Sequence, residues 1–147
     1  MLSKILCPIS FDENSMAALD LARDLAIANA AKLYLLHVAA IPPADMDSPV
    51  PIPENPRWER EARVKLDQIG HDRLEGKLPY EVLIESGIAQ DVVTRIAREV
   101  DVDLIVMATH ARRGLKRLVL GSVAEAIAHA ATCAVLTLKP AVAAHAP

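Results

Sequence analysis

The segment from Leu104 to Leu138, LIVMATHARRGLKRLVLGSVAEAIAHAATCAVLTL, is the stretch that decides the predicted fold. It contains an apolar strand-like run, a short basic stretch, a Gly-Ser pair that opens a helical pattern, and a second apolar run. A strand, a crossing helix and another strand are the repeating unit of a parallel α/β sheet. In that unit the N–H groups and dipole at the start of the helix favour an anion such as phosphate.

The rest of the chain continues this alternation of strands and helices. The pattern predicts strands at 4–9, 33–39, 80–85, 104–108 and 133–138, and helices at 15–31, 57–74, 89–100 and 123–130. The run LYLLHVA at 33–39 has no two-residue alternation, which is typical of a parallel strand covered on both faces. The sequence therefore predicts a doubly wound α/β fold, with five parallel strands and helices on both faces of the sheet.

One domain is predicted over residues 1–140, because 147 residues that are 52% hydrophobic suffice for a single core. Residues 141–147 are predicted to be a frayed C-terminal tail. The proline-rich stretch 41–56 is predicted to be a loop, since proline lacks a backbone donor and keeps its predecessor extended. The helix at 15–31 is predicted to bury one stripe, formed by Ala18, Leu21, Ala22, Leu25 and Ala28.

Composition and charge exclude several classes of partner. A net charge of −3 and a pI near 5.9 give no basic face for nucleic acid. No apolar run approaches the roughly 20 residues that span a bilayer, and acidic residues follow the N-terminus too early for a signal peptide. Cys7 and Cys133 are isolated within apolar runs and are expected to be reduced thiols without a metal. A cytoplasmic protein is the expectation.

Catalytic side chains are sparse. The five histidines, at 37, 71, 110, 129 and 145, are scattered, and no Ser/His/Asp set or carboxylate pair falls at the strand ends. His37 is expected to be a hydrogen-bonded histidine in a buried strand, whereas for His110 contact with a ligand is an open alternative. An enzyme is not predicted, and a slow ATPase is the most that these residues would support.

The ligand crevice of such a sheet lies beyond the carboxyl ends of the strands, where the strand order reverses. This rule places Pro8–Ile9–Ser10, Val38–Ala39 and Ala108–Thr109–His110 around one pocket. Ser122 and Glu125 fit a capping box at the start of the last helix, and Gly121 before them permits a close backbone approach. The basic residues Arg112, Arg113, Lys116 and Arg117 are either solvated surface or an attraction for an anionic ligand.

Three stretches resemble the universal stress protein family. They are KILCPISFDENSMAALDLARDLA at 4–26, LLHV at 35–38 and ATHARRGLKRLVLGSVAEAIAHAATCAVLTLKP at 108–140, and the resemblance extends over residues 3–140. It implies the Rossmann-like fold of the adenine-nucleotide alpha-hydrolase type and a homodimeric regulator of the stress response. It also implies a pocket for ATP or AMP, with or without magnesium.

The chain departs from the pattern of the ATP-binding branch at three positions. That pattern has glycine, two residues, glycine, nine residues, then glycine and serine or threonine, and here it reads Ala108, Ala111, Gly121 and Ser122 with the spacing kept. The branch also has Pro-x-Asp after the first strand, where this chain has Pro8-Ile9-Ser10 and its nearest carboxylate is Asp12. The resemblance therefore implies a weakened nucleotide pocket. Its candidate residues are Pro8, Ile9, Ser10, Asp12, Val38, Met107, Ala108, His110, Ala111, Arg112, Arg113, Gly121, Ser122 and Val123.

Two other functional classes remain as alternatives. A member of the family could act through protein contacts without nucleotide. A response-regulator receiver shares the architecture, but the stretch YEVLIESG at 80–87 offers Glu85 and no phosphoacceptor aspartate.

The last strand predicts self-association. Its uncovered apolar edge would be an aggregation liability, so a homodimer through Ala134 to Leu138 is expected. The sequence indicates no client protein.

Overall fold

The computed structural model describes residues 1–40, 56–109 and 121–139, and it has a five-stranded sheet in the order β3-β2-β1-β4-β5. All four neighbouring pairs of strands are parallel. The elements are β1 Lys4–Pro8, α1 Glu13–Asn29, β2 Lys32–Ala40, α2 Pro56–Leu74, β3 Tyr80–Gly87, α3 Ala89–Val100, β4 Leu104–Ala108, α4 Ser122–Ala130 and β5 Ala134–Leu138. The predicted doubly wound fold is confirmed. The predicted loop at 41–56 and tail at 141–147 fall outside the described residues, apart from Pro56, with which α2 begins.

The two faces of the sheet carry separate core clusters. Leu33 and Leu35 of β2 pack with α1 and α2 on one face, while Tyr34 and Leu36 pack with α3 and α4 on the other. Alternate residues of one strand are thus buried on opposite faces, which is why LYLLHVA shows no alternation of apolar and polar residues.

Helix α1 begins earlier than predicted because Asp12 caps it. The backbone N–H of Ser15 donates to Asp12 Oδ1 at 2.8 Å, and the N–H of Asp12 donates to Ser15 Oγ at 3.3 Å. This reciprocal pair is a capping box, so the helix begins at Glu13 rather than at Ser15. The buried residues of α1 are Ser15, Ala18, Leu19, Ala22 and Ala26. The predicted stripe is wrong at Ala28, which is exposed.

Asp103 joins the amino ends of β1 and β4. Its Oδ2 accepts hydrogen bonds from Ser3 N at 2.8 Å, Ser3 Oγ at 2.9 Å and Lys4 N at 3.0 Å. These donors stabilise the carboxylate and hold the pKa of Asp103 below its ordinary value. The Nζ of Lys4 donates to the carbonyl of Val100 at 2.9 Å, so the start of β1 is fixed to both ends of the turn between α3 and β4.

The packing of α2 on β3 depends on a glycine. A Cβ placed on Gly70 would lie 2.5 Å from Cε2 of the Tyr80 ring, far inside van der Waals contact. We expect Gly70→Ala to lower the free energy of unfolding, because overpacking costs about 1–3 kcal/mol while the better helix propensity of alanine returns only about 1 kcal/mol.

Urea unfolding of Gly70→Ala in two backgrounds checks this expectation. In a Tyr80→Val background the ring is gone, and the same substitution should become neutral or stabilising. Equal destabilisation in both backgrounds would contradict a steric origin at Tyr80.

Candidate functional site

The carboxyl ends of β1 and β4 lie side by side at the point where the strand order reverses. The two strands pair in parallel, with Ile5 opposite Leu104 and Leu6 opposite Ile105. After β1 the chain passes into α1 on one face, and the helix that follows β4, α4, packs on the other face. This divergence of the two connections is the arrangement in which a ligand crevice is expected, at the carboxyl ends of β1 and β4.

The beginning of α4 is also at this edge. Strand β5 starts at Ala134, opposite Leu104 at the amino end of β4, so the preceding α4 runs against the strands and begins near their carboxyl ends. Its N-cap is Gly121, and within residues 1–40, 56–109 and 121–139 no side chain forms a capping hydrogen bond there. The predicted capping box at Ser122 is therefore wrong, because Ser122 is the first helical residue and its side chain is exposed.

The starts of α1 and α4 differ in how they are capped. Helix α1 is capped by the carboxylate of Asp12, whereas no side chain of the described residues caps α4 at Gly121, and the acidic residue of its first turn is Glu125. The first N–H groups of α4 are therefore not occupied by a side-chain cap from the described part of the chain. An anionic group is better accommodated at Gly121 and Ser122 than at the start of α1.

The turn from β1 to α1 is held by its own hydrogen bonds. The N–H of Ile9 donates to the carbonyl of Leu36 at 2.8 Å, and the N–H of Ser10 donates to Ser15 Oγ at 3.3 Å. Ser15 is only 3% exposed, whereas the side chain of Ser10 points out of the turn and is exposed. The Asp12 carboxylate, a candidate replacement for the aspartate of the ATP-binding pattern, binds the helix end instead.

The ring of His37 has a defined partner, as expected from its place in a covered strand. Its Nδ1 lies 2.7 Å from the carbonyl oxygen of Ile9. A carbonyl can only accept, so Nδ1 carries the proton of this hydrogen bond. The ring centroid lies 4.4 Å from that of Phe11 and 6.1 Å from that of Trp58, the single tryptophan, at the start of α2.

The other candidate residues differ in burial and in position. Pro8 ends β1, Val38 is half-buried beside the α3 and α4 cluster, and Met107 is buried within that cluster. Ala108 ends β4 without a positive φ, so alanine imposes no backbone strain there. Val123 is 40% exposed beside Ser122. His110, Ala111, Arg112 and Arg113 fall outside the described residues.

Thr109 closes the sheet rather than facing the crevice. It is buried, and both its N–H and its hydroxyl donate to the carbonyl of Leu138, at 3.0 and 3.3 Å. Two residues that sequence reasoning missed are Ser15 and Trp58. The pair Asp12-x-x-Ser15 is a recognisable capping spacing, whereas nothing in the sequence after the proline stretch indicates that Trp58 contacts β2.

Thiol and metal chemistry find little support in the described part of the chain. Burial raises the pKa of Cys7 to about 12, so this thiol stays protonated at neutral pH. Burial also raises the pKa of Cys133. Over residues 1–40, 56–109 and 121–139 there is no group of three His, Cys, Asp or Glu side chains that could bind a metal. No helix among these residues has the length and apolar character to cross a membrane.

Comparison with known proteins gives one consistent result. A model of the Universal stress protein family matches residues 1–139. The chain is similar to the Universal stress protein A homolog 1 of Coxiella burnetii, with 36% identity over 139 residues, which cover 91% of this chain and 94% of that protein. It is also similar to the Universal stress protein MJ0577 of Methanocaldococcus jannaschii, with 27% identity. The solved structure of MJ0577 matches with a TM-score of 0.75 and covers 95% of this chain and 96% of that one.

A further solved structure is a universal stress protein in complex with cAMP. It matches with a TM-score of 0.61 at 23% identity, covering 94% of this chain and 97% of that chain, a likeness at the level of the fold.

Proposed function

Because the chain belongs to the universal stress protein family, we propose that it is a cytoplasmic stress-response regulator that binds an adenine nucleotide, ATP or AMP, weakly at the carboxyl edge of its sheet. The observation that carries the proposal is the start of α4, which lies near the carboxyl ends of the strands and has no side-chain cap from the described residues. Such a helix end favours phosphate. The structural relative in complex with cAMP supports an adenine nucleotide as the ligand class.

The proposed site assigns each part of the nucleotide to a group of residues. The phosphates lie at Gly121, Ser122 and Val123, with Arg112 and Arg113 adding positive charge. The ribose lies near Ser10, and the base near Pro8 and Val38. Magnesium, where it accompanies ATP, is held through the phosphates, because the described residues offer no cluster of metal ligands.

Weak binding follows from the residues at the ribose end. Ser10 presents a neutral hydroxyl, and hydrogen bonds to a charged acceptor are roughly twice as strong as those between neutral groups. The carboxylate of Asp12 is held at the start of α1, where its Oδ1 accepts from the N–H of Ser15 at 2.8 Å. The same two facts favour a second candidate function, in which the protein regulates through protein contacts without nucleotide.

We also propose a homodimer through β5. This strand is at the edge of the sheet, and its residue Leu136 is 38% exposed. Pairing with a second copy would satisfy the free strand edge and cover the apolar side chain, and a two-fold dimer is the commonest symmetric assembly.

Titration calorimetry of AMP and ATP at low and high salt tests the nucleotide proposal. We expect measurable affinity that falls several-fold between about 50 and about 500 mM salt, because exposed charges are screened beyond ~10 Å at 0.1 M. Arg112→Ala should weaken binding and flatten the salt dependence.

Arg98→Ala is the matched control. Arg98 is exposed in the last turn of α3, near the amino ends of the strands and therefore away from the proposed site. If the affinity depends neither on salt nor on Arg112, the basic residues Arg112, Arg113, Lys116 and Arg117 are solvated surface rather than part of the nucleotide site. No binding of either nucleotide at millimolar concentration would favour the nucleotide-free regulator.

A further inference from the structure

The carbonyl of Ile9 is satisfied by a side chain rather than by the sheet. Strand β1 ends at Pro8, so Ile9 lies one residue beyond the strand. Its carbonyl accepts from Nδ1 of His37 at 2.7 Å, and Ile9 is only 3% exposed. A buried carbonyl that loses its donor is costly, so this bond selects one orientation of the peptide between Ile9 and Ser10.

Phe11, two residues after Ile9, adopts a backbone conformation that needs support from its neighbours. Phe11 has a φ of 61°, in the left-handed region that bulky side chains rarely adopt. Its ring packs against His37 on one side, and Nζ of Lys65 lies 5.4 Å from its centroid. Trp58 contacts His37 in turn, so α2 supports the imidazole that supports the turn.

Ser10 lies between these contacts and is itself exposed. The N–H groups of Ser10 and Asp12 both donate to the buried hydroxyl of Ser15, while the side chain of Ser10 is exposed. The orientation of Ser10 therefore depends on the hydrogen bonds on either side of it. His37 binds the carbonyl of Ile9, and the hydroxyl of Ser15 accepts from the N–H groups of Ser10 and Asp12.

We propose that His37 is a positioning residue for the ligand site: by donating from Nδ1 to the carbonyl of Ile9, it fixes the turn that presents Ser10 at the crevice. The ligand part of this inference rests on the proposed nucleotide function, whereas the control of the turn does not.

Two variants separate the hydrogen bond from the ring. His37→Phe keeps an aromatic ring beside Phe11 and Trp58 but has no donor. His37→Asn keeps an N–H donor near the position of Nδ1 but has no ring. With AMP as the probe in calorimetry, we expect about tenfold weaker binding for His37→Phe and a change of less than about threefold for His37→Asn.

Hydrogen exchange of the backbone amides of Ser10 and Asp12 supplies a readout that needs no nucleotide. Exchange should be at least about tenfold faster in His37→Phe than in the wild type, and nearly unchanged in His37→Asn. If the wild type binds no AMP, the proposed function fails while the exchange rates still decide the role of His37.

Several results would overturn the proposal. Unchanged exchange at both amides in His37→Phe would do so, as would equal effects of the two variants on exchange and on AMP affinity. If His37→Phe does not fold, nitrogen NMR of the wild type decides the matter, because a neutral imidazole protonated at Nε2 instead of Nδ1 excludes the proposed bond.

Discussion

Ser10→Asp is expected to bind ATP about 10- to 100-fold more tightly than the wild type. A hydrogen bond to a charged group is worth about 1.5–3 kcal/mol, and each tenfold in affinity corresponds to about 1.4 kcal/mol. Ser10 is exposed on a turn whose backbone is already fixed, so a carboxylate there can accept from ribose hydroxyls without rebuilding the turn.

Adding Ala108→Gly and Ala111→Gly tests the remaining departures from the ATP-binding pattern. Ala108 has no positive φ, so a glycine there relieves no strain and removes only a methyl group from the approach to phosphate. We expect the triple variant to exceed Ser10→Asp by less than about tenfold, since relief of strain is limited to about 1 kcal/mol.

Calorimetry with ATP at constant salt measures these affinities. Ser10→Asn is the control, because it has the shape of aspartate without the charge. An equal gain for Ser10→Asn would show that charge is not the missing element. Tight ATP binding by the unmodified protein would contradict the impairment itself and make a nucleotide switch the leading interpretation.

The second large effect is expected at the edge strand. Leu136→Lys should shift the proposed dimer toward monomer, weakening association about 10- to 100-fold, because each two-fold interface loses two leucine contacts and must desolvate two ammonium groups. Leu136 is a better choice than its neighbour Val135, which packs against the α3 and α4 cluster and whose replacement would disturb folding.

Sedimentation over a range of protein concentrations measures the assembly. Ile27→Lys is the matched control, since Ile27 is an exposed apolar residue, 49% accessible, on α1 rather than on the edge strand. A wild-type monomer at high micromolar concentration, or equal effects of the two variants, would contradict association through β5.

The fold was predictable because periodicity and strand composition act locally. The helix at 89–100 is found with its predicted bounds, and the lack of alternation at 33–39 correctly indicated a strand covered on both faces. Boundaries were less predictable where a cap decides them. The capping box of Asp12 and Ser15 places the start of α1 at Glu13, two residues before the predicted start. The capping box predicted at Ser122 is wrong because the N-cap of α4 is Gly121.

For the candidate site, the strand pattern indicates only where a ligand crevice is expected, at the reversal of strand order. The hydrogen bonds of individual side chains depend on tertiary contacts, which the sequence does not show. The carboxylate of Asp12 caps α1, and His37 of β2 donates to the carbonyl of Ile9, which lies 28 residues earlier in the chain.

The tie between Asp103 and the first residues has a consequence for how the protein is made. Strand β1 lies in the middle of the sheet, yet its second neighbour, β4, does not begin until residue 104. A nascent chain emerging from the ribosome can pair β1 with β2, but one edge of that central strand has no partner until residues 104–108 have been synthesised. Asp103, which anchors Ser3 and Lys4, is synthesised directly before β4, so the residue that fixes the start of β1 becomes available together with its second neighbouring strand.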